Sequence, residues 1–181
     1  MQMRPELQIN SMIKAMTDVV IPAVSSDNKL ALEQSQLIVA MLRLMAKQLP
    51  VQFQFDRDEL RRLLATAIQL RDIPVDGNAT VEAAKEGLAE HCAAAADTLD
   101  QCQLDPSALI IANRELREAI GTLVSAIAAT VDTAAQYDVE TAVLGMSKEQ
   151  LLRDRSLMLP QGWEPDSTAV PDIETLLDLR S

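Results

Sequence analysis

The sequence predicts an all-α protein, an antiparallel up-and-down bundle of about six helices followed by a non-periodic C-terminal tail. Composition is the first reason, because the 181 residues include only five glycines and few aromatics (two Phe, one Tyr, one Trp). A glycine-poor chain rich in Ala, Leu and Met favours helices. The second reason is periodicity: apolar residues recur every three or four positions, and no stretch alternates with a period of two. We therefore expect no β-sheet.

Three helices are predicted before residue 74. The first begins at Pro5, a residue typical of a first helical turn, and ends or bends at Pro22. The second follows the start signal SSDN at residues 25–28 and presents a broad apolar face as far as Pro50. The third is predicted to begin at Asp56, because an acid three residues later completes a pattern that resembles a capping box.

The turn cluster PVDGNAT at residues 74–80 is the predicted boundary between two sub-bundles of one helical domain, residues 1–158. The charge balance changes at the same point. Of the formal net charge of −11, residues 1–80 carry nine basic and nine acidic side chains, whereas residues 81–181 carry seven and eighteen. Residues 159–181 lose the helical period and are predicted to form a tail that ends in a short amphipathic segment.

Three further helices are predicted after this boundary. The fourth extends to Cys102. The fifth follows the N-cap Asp105 and a first-turn proline, and its pattern predicts about 30 residues, the longest helix of the chain. The sixth covers about Val139 to Met158, with a break near Gly145.

The acidic charge argues against some partners. An acidic surface repels the phosphates of nucleic acids and anionic lipids. The longest uncharged run of the hydrophobic centre, residues 119–131, is shorter than the ~20 residues needed to span a bilayer. The N-terminus shows no hydrophobic core of a signal peptide. A chain with two cysteines and no secretion signal is expected to keep its thiols reduced. We therefore expect a cytoplasmic protein that binds neither nucleic acid nor membrane.

The single histidine and both cysteines lie within residues 90–102. Zinc needs three or four ligands, and the adjacent side chains of His91 and Cys92 diverge by about 100° on a helix. Cys92 and Cys102 on one helix would be ~15 Å apart, too far for a disulfide. We therefore interpret the cysteines as small core residues and His91 as a residue at the border of the core. Whether His91 meets a carboxylate from another helix is left open.

Other catalytic patterns are missing from the sequence. It contains no glycine-rich phosphate loop and no G-x-S-x-G nucleophile elbow. Arg57, Asp58, Arg61 and Arg62 could grip an anionic ligand, but intrahelical ion pairs on a solvated face are the favoured interpretation. We expect no catalytic residue, no metal site and no cofactor.

The fifth helix is more apolar than one core face requires. Ile110 and Ile111 fall away from its main stripe, and so does a ridge of small residues, Gly121, Ser125 and Ala129. Either this helix lies at the centre of its own bundle and is covered on both sides, or the ridge is an interface for a homodimer or another protein partner.

The C-terminal tail is the second predicted contact region. Trp163, the only tryptophan, lies in a non-periodic stretch and is followed by Leu176, Leu177 and Leu179. Burying each side chain would contribute about 1.5–3 kcal/mol, so we expect them to be covered. The tail either folds back over its own bundle or reaches a second subunit or another protein.

The sequence therefore predicts a non-catalytic helical protein-interaction or assembly module, without indicating its specific role. The alternative is a binder or enzyme for a small apolar or acyl-type ligand, held in a pocket between helices. Flexible methionines suit adaptable pockets, and Met12, Met16, Met41 and Met45 are predicted to face the core. Ordinary core filling is the favoured interpretation of these four residues.

Overall fold

The computed structural model describes residues 4–75, 78–101 and 103–177. These residues are 82% helical and include no strand, which confirms the predicted all-α helical bundle. None of the described helices is both long enough and apolar enough to cross a membrane.

The helices follow one another closely. They are α1 (Pro5–Ala15), α2 (Ile21–Ala23), α3 (Lys29–Gln48), α4 (Gln52–Arg71), α5 (Ala79–Asp100), α6 (Pro106–Ala128), α7 (Thr133–Met158) and α8 (Ile173–Leu176). A π-helical turn, Met16–Val20, joins α1 to α2, and two short 3₁₀ turns, Leu159–Gln161 and Ser167–Ala169, follow α7.

By their contacts, the described residues divide into two compact units. One comprises residues of Met1–Gln52 and Arg153–Ser181, and the other comprises residues of Phe53–Leu152. The boundaries fall within α4 and α7.

The unit of Phe53–Leu152 has a continuous apolar core built from α4, α5, α6 and the first part of α7. Its largest fully buried side chains are Leu60, Leu70, Val81, Leu88, Leu109, Leu116, Leu123 and Ile127. Each such burial contributes about 1.5–3 kcal/mol, so these residues dominate the stability of this unit.

Short polar side chains fix where the helices of this unit begin. The Asn78 side chain accepts hydrogen bonds from two amides at the start of α5, at 3.0 and 3.2 Å. Asp105 accepts from Ser107 N at 2.9 Å and so caps α6. Such caps satisfy amides that have no partner within the helix. The helix start at Asp105 agrees with the sequence prediction.

Several predicted helix boundaries are wrong, including the start of α7, which lies at Thr133 and not near Val139. The helix α4 begins at Gln52, so Asp56 lies inside it and does not cap it. The helix α6 has 23 residues and not the predicted length of about 30. The predicted helix continued through residue 132, but Asp132 caps the next helix, α7, by accepting hydrogen bonds from the amides of Ala134 and Ala135 at 3.1 and 3.0 Å. The expected break at Gly145 does not occur, and α7 is the longest helix with 26 residues.

The other unit is built around α3. Both α1 and the π turn pack against it, and so does the 3₁₀ turn after α7. The π turn lies just before Pro22, which has no amide hydrogen to donate, and a wider turn accommodates the ring. The buried residues of α1 and α3 are Ile9, Ser35, Val39 and Leu44.

Candidate interaction surface

One side of α3 exposes a row of large apolar side chains. They are Leu30 (67% exposed), Leu37 (45%), Ile38 (48%), Met41 (43%), Met45 (51%) and Leu49 (43%). At 3.6 residues per turn these six positions fall within an arc of about 120°, so they form one surface. We call this surface the α3 apolar face.

The contacts that α3 makes within its unit leave most of this face open. Ser35 and Val39 are buried on the other side of the helix. Leu44 is also buried and lies about 20° from Leu37, so the covered surface reaches the border of the face. Near its C-terminal end, Gln48 Nε2 lies 3.7 Å from Met158 Sδ, and Gln161 Nε2 lies 3.7 Å from Met41 Sδ. Met41 lies within the face, so the 3₁₀ turn after α7 contacts the face at this residue, and Met41 still keeps 43% of its surface exposed.

The prediction that the methionines face the core is wrong for three of the four. Met12 is 47% exposed, Met41 43% and Met45 51%, while Met16 is half-buried. Helical periodicity identifies apolar residues, but it does not show which of them a neighbouring element covers. The helix α3 has apolar residues on several sides, and its own unit buries Val39 and Leu44 while it leaves most of the α3 apolar face exposed.

The exposed apolar area of this surface is large for one side of a single helix. Single exposed apolar residues are common and carry no information. Six large side chains in one row amount to an area on the order of several hundred Å², comparable with the largest patches on monomeric proteins, which are often functional. The α3 apolar face is therefore the strongest candidate contact surface in the described structure.

The predicted ridge on α6 is also open. Gly121, Ser125 and Ala129 are exposed and line a groove of about 990 Å³ between α5 and α6. Ile110 (61% exposed) and Ile111 (45%) lie on the same helix. The interface predicted here stays a prediction, because a groove of small side chains can also simply face water.

Replacing Gly121 with Ala should raise the free energy of unfolding by about 0.5–1 kcal/mol, since glycine inside a helix is unfavourable. A Cβ atom at residue 121 would meet nothing within 4 Å, and the same holds at Gly87 on α5. Gly87→Ala is the matched control, and urea unfolding measures both. Stabilisation at Gly87 without stabilisation at Gly121 would contradict an open ridge.

His91 lies beside a carboxylate of the next helix. His91 of α5 and Glu115 of α6 line the same cavity of about 190 Å³, together with Ala95 and Ile111. No hydrogen bond or ion pair links the imidazole and the carboxylate in the described structure. The cavity is smaller than the ~300–1,000 Å³ of typical ligand pockets.

The chemistry around Cys92 is that of a core residue. Its side chain is 5% exposed, and burial raises the pKa of the thiol, while Arg71 opposes that change and Asp72 adds to it. A thiol held neutral in this way is a poor nucleophile. Cys102 lies outside the described residues. Among the residues that the structure describes, no group of three or more His, Cys, Asp or Glu side chains could hold a metal ion.

Within the arginine cluster, Arg62 forms an ion pair with Asp58 on the same helix. Arg62 Nε lies 2.7 Å from Asp58 Oδ2, and its Nη2 donates to Gln150 Oε1 at 3.0 Å. Arg117 of α6 pairs with Glu59, which is only 9% exposed. These contacts support the interpretation of Arg62 as a structural residue.

The tail packs against its own unit over the part that the structure describes. Ser156 Oγ donates to the Pro171 carbonyl at 2.6 Å, and Val170 is 4% exposed. Arg155 pairs with Glu164 through two hydrogen bonds of 2.9 and 2.7 Å, and the pair holds the pKa of the Glu164 carboxyl below its ordinary value. Much of the tail is therefore anchored in the same chain.

The apolar side chains of the tail differ in exposure. Trp163 is 67% exposed, although it lies between two anchored segments. Leu176 and Leu177 are half-buried, and Leu179 lies outside the described residues. Among the large apolar side chains of the described part of the tail, Trp163 therefore offers the most exposed surface for contact with another protein.

Comparisons with protein-family models, with curated proteins and with solved structures found no match to this chain. Function is therefore inferred from the physical properties of the surfaces described above.

Proposed function

We propose that this chain is a non-catalytic helical interaction or assembly module, and that its main contact surface is the α3 apolar face. The observation that carries the proposal is the row of six side chains, each 43–67% exposed, along one side of α3. Contiguous apolar surface of this size marks protein contact sites more often than isolated apolar residues do. We place the module in the cytoplasm, where its cysteines would be reduced thiols.

The side chains of this face suit contact with a helix or a helix-lined groove. They are Leu, Ile and Met, with no charged residue among them. Met41 and Met45 are unbranched and flexible, and such side chains adapt to a partner surface. Amphipathic helices bind through residues spaced by three, four and seven positions, which is the spacing of Leu30, Leu37 and Met41.

The surfaces that the sequence analysis identified form a weaker part of the same proposal. The ridge of Gly121, Ser125 and Ala129 presents small side chains, which contribute little apolar area each. Trp163 presents a large one, and aromatic residues are enriched at the centres of interfaces. We therefore include Trp163 in the proposed contact surface and rank it above the ridge, because its side chain is larger.

A small-molecule binder is the second candidate function, and the groove of about 990 Å³ between α5 and α6 favours it. Ligand pockets combine apolar walls with a few converging polar groups. Here the Thr122 and Ser125 hydroxyls donate to carbonyls of their own helix, at 3.0 and 2.8 Å. Glu118 and Thr80 also line the groove, but most of its lining is Ala and Gly, which offer no group to orient a ligand, and we favour the interaction module.

Photo-crosslinking tests the proposed function. A photoreactive residue in place of Met45 (51% exposed) is expected to give covalent protein adducts in cells after irradiation, because this position would lie against a partner. The same residue in place of Leu144 of α7 (63% exposed) is the control and is expected to give few, because this position belongs to none of the proposed contact surfaces. Equal adduct yields at the two positions, or none at Met45, would reject the α3 apolar face as the contact surface.

A further inference from the structure

We draw no further inference here: the strongest candidate, the α3 apolar face on the unit built around α3, belongs to the contact surface already proposed, and nothing in the described structure shows what covers it.

Discussion

Leu109→Ala is expected to lower the free energy of unfolding by about 2–5 kcal/mol, while Ile110→Ala should change it by less than about 1 kcal/mol. The two residues are neighbours on α6, but Leu109 is 0% exposed and Ile110 is 61% exposed. Truncating Leu109 removes apolar contacts and leaves a cavity among well-packed side chains. Truncating Ile110 leaves a better helix former at a position in water.

Urea unfolding, followed by circular dichroism, measures both changes. Equal slopes of the unfolding free energy against urea concentration show that the parent and the two variants undergo the same transition. The comparison depends on the face that α6 turns towards the core. Similar losses at the two positions would mean that Ile110 is buried in the native protein, and the assignment of the α6 core face would then be wrong.

Local signals in the sequence predicted several helix limits correctly. Asn28 and Asp105 cap α3 and α6, and each belongs to a start signal that is visible in the sequence. Such signals are reliable because the cap bonds to amides only two or three residues away. The predicted core position of Cys92 also agrees with the structure, since its side chain is 5% exposed, and His91 is half-buried at the border of the core as predicted.

Limits that depend on competing signals were missed. The pattern at Asp56 resembles a cap, but the helix had already begun at Gln52, directly after the turn at residues 49–51. The apolar spacing of α6 continues past Ala128, yet Asp132 caps the next helix and the turn at residues 129–132 interrupts the pattern. Periodicity alone does not distinguish one long helix from two helices in phase.

The α3 apolar face could not be predicted from the sequence, for a different physical reason. Leu37 and Ile38 are exposed, while Val39, the next residue along α3, is 5% exposed. All three are apolar, and only the position of neighbouring elements distinguishes them. Because helical periodicity placed Met41 and Met45 of α3 in the core, the predicted interface lay on α6 instead.

The largest effect on assembly is expected from Ile38→Asp combined with Met45→Asp. Both positions lie at the centre of the α3 apolar face and are about half exposed, so the fold should tolerate the change. Burying two such side chains at a contact contributes about 1.5–3 kcal/mol each, and a buried carboxylate adds a desolvation cost. Association should therefore weaken at least about 100-fold.

Size-exclusion chromatography with immunodetection measures the size of the protein in cell extracts prepared by mild lysis. The control variant carries Leu144→Asp and Leu151→Asp, at positions 63% and 58% exposed on α7. Circular dichroism on the purified variants shows that both remain folded. The parent and the control are expected to elute as an assembly, and the α3 variant at the size of the 19.8 kDa chain. A folded α3 variant that elutes with the parent would contradict the assignment of the α3 apolar face as the contact surface.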